Sequence, residues 1–80
     1  MTPFTTIRRI IADQLVCEPD QVTMEVSIFD LGADDLDAIT IVMAVEDAYE
    51  IELDDAQVEQ AKTVGQLVAL VETHALTGAV

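Results

Sequence analysis

From Phe4 onward the apolar positions return at helical spacing: Phe4, Ile7, Ile11 and Leu15 fall on one stripe, which predicts an amphipathic first helix. Thr2 suits its N-cap and Pro3 its first helical position, where a missing N–H costs nothing. Pro19 disfavours helical geometry at Glu18, so this helix should stop near Cys17. Between Pro19 and Ala33 the periodicity fails, and Gly32 closes a stretch that reads as a long ordered loop anchored by Val22, Val26, Ile28 and Phe29. After the acidic pair Asp34 and Asp35, fifteen residues from Leu36 to Glu50 hold neither Gly nor Pro, which predicts a second helix opened by an acidic cap. Ile39 to Val45 is β-branched enough to pass alone for a buried strand, but the length and the cluster Glu46, Asp47, Glu50 favour helix. Asp54 or Asp55 caps a short third helix through Ala61. Thr63 and Gln66 have capping-box spacing, and Val64, Leu67, Val68 and Val71 follow at helical intervals, so a fourth helix runs to His74 or Ala75, ahead of Gly78. The expected architecture is all-α, a small four-helix bundle in one domain over residues 1–80, with a long loop between the first two helices and a short third helix.

At about 100° per residue, Ala38, Ile41, Val42, Val45 and Tyr49 form one apolar face of the second helix. Leu36, Ile39 and Met43 form another, bordered by Asp37, Thr40, Glu46 and Asp47. One broad stripe supplies a bundle helix with its core contact. The second stripe is therefore a candidate docking surface, unless a crossing helix or the long loop covers it.

Charge narrows the partner. Sixteen acidic residues against three basic ones give a formal net charge of −13, and from Asp30 to Glu59 the chain has no Lys or Arg. With only Arg8, Arg9 and Lys62 as cations, direct phosphate recognition on a nucleic acid is excluded, and a basic-surfaced protein partner is favoured. The hydrophobic content of 51 % supports folding despite the charge, while 80 residues leave no room for a second core or a deep active site. Cys17 is the only cysteine, so no intrachain disulfide forms, and a reducing cytoplasm fits. No apolar run approaches the roughly 18 residues of a membrane span, and no signal-peptide core follows Arg8 and Arg9.

Catalysis finds no matched nucleophile and base, so no enzyme activity is expected. His74 reads as a partner for the C-terminal dipole of the last helix. Asp30, Asp34, Asp35 and Asp37 would attract divalent cations weakly and without specificity, because Leu31-Gly32-Ala33 breaks the spacing of a calcium loop.

The run Leu31-Gly32-Ala33-Asp34-Asp35-Leu36-Asp37, followed by Ile41-Val42-Met43-Ala44-Val45-Glu46-Asp47, resembles acyl carrier proteins of fatty-acid and polyketide synthesis. The similarity spans essentially the whole chain: Ile10 to Leu15 looks like the family's first helix, Tyr49 to Leu53 like the exit of its second, and Thr63-Val64 like the start of its last. In that family the motif reads Asp-Ser-Leu, and the Ser hydroxyl carries a 4′-phosphopantetheine arm. Here the position is Asp35. An alcohol oxygen is needed to form the phosphodiester, so the resemblance implies no cofactor as the chain is written, and 4′-phosphopantetheine were position 35 a serine. Ser27 and Thr40 do not stand where the family presents its nucleophile. Thr40 also falls where an acid is common, Asp54 replaces a frequent Pro, and the loop before Leu31 is one residue short of the usual pattern.

By the same resemblance Leu36, Asp37, Ile39, Met43, Glu46 and Asp47 match the partner-recognition helix, and Phe29, Val42, Val45, Leu53, Val58, Leu67 and Val71 would line the interior that shelters acyl chains. The implied partners are basic-surfaced enzymes of acyl metabolism or a phosphopantetheinyl transferase, met by a monomer with no nucleic acid or membrane involved. Two other readings stand beside this one: a genuine acyl carrier whose attachment serine has been substituted, and a non-carrier acidic interaction or regulatory module, of which a decoy for a basic nucleic-acid groove is the extreme form.

Overall fold

The computed structural model describes residues 3–78, which contain four α-helices, two 3-10 turns and no strand. Helix α1 spans Pro3–Leu15 and buries Ile7, Ile11 and Ala12; its expected cap Thr2 lies outside the described residues. It stops short of Cys17 because Val16 turns left-handed at φ 52°, and the Cys17 N–H donates back to the Ala12 carbonyl at 3.1 Å. That closure ordinarily falls to glycine. A side-chain-bearing residue there stores about 1–2 kcal/mol of strain, and Val16, 91 % exposed, gains little packing in return.

The stretch read as loop holds two 3-10 turns, Pro19–Gln21 and Ile28–Leu31. Val22 between them is fully buried, and its carbonyl accepts from Arg8 Nε at 3.3 Å. The Arg8 guanidinium lies 4.9 Å from the centroid of the Phe4 ring. Ser27 caps the second turn, its Oγ accepting from the Phe29 N–H at 3.2 Å, and Gly32 ends it at φ 100°. Three residues per turn set Ile28 and Leu31 on one side, and both pack against the core. Phe29 is thereby rotated outward and is 55 % exposed, which removes it from the expected interior.

Helix α2 spans Asp35–Tyr49 and helix α3 Asp55–Gln60, the latter capped by Asp54, whose Oδ1 accepts from the Ala56 N–H at 2.8 Å. Helix α4 spans Val64–Gly78 and opens on the expected box. Thr63 Oγ1 accepts from the Gln66 N–H at 3.2 Å, and Gln66 Oε1 accepts from the Thr63 N–H at 3.2 Å. This helix continues past Ala75, because nothing before Gly78 interrupts it, so His74 sits inside the helix and not at its C-terminal dipole. The loop is fastened to α4 through N–H groups that have no partner within a helix: Val64 donates to the Val26 carbonyl at 2.9 Å and Gly65 to the Met24 carbonyl at 2.8 Å.

Helix α1 packs on α2 and α4, and α3 packs on α4. One core results, built from Ile7 and Ile11 of α1, Val22 of the loop, Ile41 and Val45 of α2, Leu53, and Val64, Leu67, Val68 and Val71 of α4. Helix α2 thus gives one face to the core and keeps the opposite one for the surface.

Candidate functional site

The start of α2 is fixed by a reciprocal pair of carboxylates. Asp34 is the N-cap, its Oδ1 accepting from the Asp37 N–H at 2.8 Å, and Asp37 Oδ2 accepts from the Asp34 N–H at 3.2 Å. This is a capping box with Asp in place of the usual Glu or Gln. Asp37 Oδ1 accepts in addition from Gln14 Nε2 at 3.0 Å, which ties the last turn of α1 to the first turn of α2. The Gln14 amide, followed by the Asp34 backbone N–H, holds the Asp37 carboxyl below the ordinary carboxylate value, against a smaller opposing effect of desolvation. Both oxygens of this expected partner-binding acid are therefore engaged within the chain.

Asp35, the first helical residue, is exposed, and its carboxylate has no hydrogen-bond partner among the described residues. From Ile28 to Ile39 the sequence has no hydroxyl-bearing side chain. Thr40 Oγ1 donates to the Leu36 carbonyl at 2.9 Å, and Ser27 Oγ is the cap of the preceding turn.

Along α2 the two apolar faces separate as their spacing predicts. Ile41 and Val45 are buried, with Val42 and Tyr49 packed beside them. Leu36, Ile39 and Met43 are 73, 57 and 59 % exposed, so neither a crossing helix nor the loop covers them. Of the two rim acids at the far end, Asp47 is exposed, whereas Glu46 is half-buried. Glu46 Oε2 accepts from the Leu53 N–H at 2.8 Å, and its carbonyl accepts from the Ile51 N–H at 3.0 Å. It thereby holds the chain after Glu50, which turns left-handed at φ 54°.

The chain matches the family described as "Phosphopantetheine attachment site" over residues 5–71. It is 43 % identical to an acyl carrier protein of Clostridium perfringens over 72 residues, covering 89 % of this chain and 95 % of the relative. It is 40 % identical, with 89 and 94 % covered, to one of Clostridium acetobutylicum, and 39 % identical, with 92 and 99 % covered, to one of Wolinella succinogenes. The chain belongs to the acyl carrier protein family. Members of this family are carriers and not enzymes, and their normal prosthetic group is 4′-phosphopantetheine.

Of the interior expected for an acyl carrier protein, Val45, Leu53, Leu67 and Val71 are buried and Val42 and Val58 half-buried. Leu53 also lines a shallow cleft between α3 and α4, together with Gln57, Leu70, Thr73 and His74. A second open hollow, at the exit of α2, is lined by Glu46, Asp47, Glu50, Ile51, Glu52 and Leu53. No group of three or more His, Cys, Asp or Glu is placed to hold a metal ion among the described residues. No helix there is long and apolar enough to cross a membrane.

Proposed function

We propose that the chain is an acyl-carrier-type docking module, monomeric and cytoplasmic, that has no position for the phosphopantetheine arm. Asp35 carries this reading: it lies in the first turn of α2 where the family motif has its serine, and no hydroxyl lies between Ile28 and Ile39. Forming the arm's phosphodiester requires an alcohol nucleophile, and a carboxylate would give only a labile mixed anhydride. The residues at the start of α2 therefore do not fit the covalent group, although the helix itself tolerates the exchange, since an acid is favourable in a first turn.

What remains is the surface. Leu36, Ile39 and Met43 offer an exposed apolar stripe, with Asp35 at one end and Asp47 at the other. Such a stripe suits a shallow apolar groove rimmed by Lys and Arg, as on an enzyme of acyl metabolism or a phosphopantetheinyl transferase. Binding to such a transferase should weaken as ionic strength rises from about 0.01 to 1 M, where the Debye length shrinks from about 30 to 3 Å. Met43→Ala and Asp47→Lys should each weaken it by about 1 kcal/mol or more. Asp47 is the cleaner charge to reverse, because Glu46 also holds the Leu53 N–H. Affinity indifferent to salt and to both substitutions would overturn the docking reading.

A further inference from the structure

At the start of α2 the carboxylates divide their roles. Asp37 accepts through both oxygens, from Gln14 and from the Asp34 N–H, and Asp34 accepts through Oδ1 from the Asp37 N–H, so of the three acids at the start of α2 Asp35 alone has neither oxygen engaged among the described residues. It is adjacent in sequence to Leu36, the most exposed member of the apolar stripe, so the free charge and the docking face form one surface. A phosphopantetheine arm on a hydroxyl leaves a phosphodiester, one negative charge immediately beyond the side-chain oxygen. An aspartate at the same residue also sets one negative charge there, one bond nearer the backbone, whereas an unloaded serine is neutral.

Resting on the docking reading above, we infer that Asp35 makes this chain a substrate-free competitor of loaded acyl carriers, presenting the charge of the arm's phosphate together with the docking stripe. The partner it fits is an enzyme that takes an acyl group from a carrier, with a basic side chain at the mouth of its arm tunnel and an apolar groove beside it. The helix N-terminus assists by stabilising an anion in its first turn. A phosphopantetheinyl transferase holding coenzyme A is a poorer fit, because the coenzyme already brings a phosphate to that place and Asp35 meets like charge.

The test is acyl transfer from the loaded acyl carrier protein of Clostridium perfringens to a ketosynthase with a basic tunnel mouth, titrated with this chain. The chain should raise the apparent KM for the loaded carrier and leave kcat alone. Asp35→Asn and Asp35→Ser, both without an arm, should inhibit about fivefold more weakly. Asp35 makes no hydrogen bond to another described residue, and circular dichroism showing all three proteins fully folded at the assay temperature checks that unfolding is not the cause. Equal inhibition by the wild-type chain and Asp35→Asn, with Asp47→Lys weaker, would overturn the phosphate role and leave the docking reading standing. No inhibition by any of them would overturn both.

Discussion

Asp37 owes its lowered carboxyl pKa first to the Gln14 amide and then to the Asp34 backbone. A carboxylate depressed in the folded state contributes stability above its unfolded value, and the contribution fades as pH falls through the folded one. Gln14→Ala removes the largest cause together with the tie between α1 and α2, so the Asp37 midpoint should move upward and the stability that its carboxylate still contributes through the capping box should be lost at a higher pH. A carboxyl NMR titration reads that midpoint directly, and an unchanged value would contradict the tie. At this scale the sequence was legible where partners are local, as in the Asp34 cap and the Thr63–Gln66 box. The intrachain bonds of Asp37 and Glu46 were not legible, because their partners, Gln14 and Leu53, stand 23 and 7 residues away.

Among the elements, the seam between the loop and α4 turns on Gly65. A Cβ there would meet the Met24 carbonyl oxygen at 2.9 Å and the Met24 side chain at 3.4 Å, while the Gly65 N–H donates to that same carbonyl. Helix propensity alone favours Gly65→Ala by about 1 kcal/mol, whereas displacing a backbone carbonyl costs about 1–3 kcal/mol. The clash should win, and the variant should melt below the wild-type chain; a higher melting temperature would mean that the loop is not held there. Helix positions followed from apolar spacing because each helix turns an apolar stripe to one core. Helix ends followed less well: the strained Val16 ends α1 early, no breaker ends α4 at Ala75, and the unforeseen 3-10 turn points Phe29 outward.

For the whole molecule, a net charge of −13 sets folding against self-repulsion. From Asp30 to Glu59 no cation interrupts the acids, so added salt or divalent cations should raise the melting temperature, and a temperature insensitive to both would contradict this. On the docking reading proposed above, the same field would steer the molecule toward basic partners that meet it on α2. The exposed apolar stripe of α2 was legible in the sequence, since a second apolar face is surplus to a small bundle and the structure leaves Leu36, Ile39 and Met43 exposed. The proposed function requires that this surface persist while the attachment hydroxyl is missing. Intact mass after incubation with coenzyme A and a broad-specificity phosphopantetheinyl transferase, on this chain beside Asp35→Ser, tests both parts together. Only Asp35→Ser should gain the arm. An arm on the unaltered chain would contradict the loss of the site, and no arm on either would contradict the persistence of the docking surface.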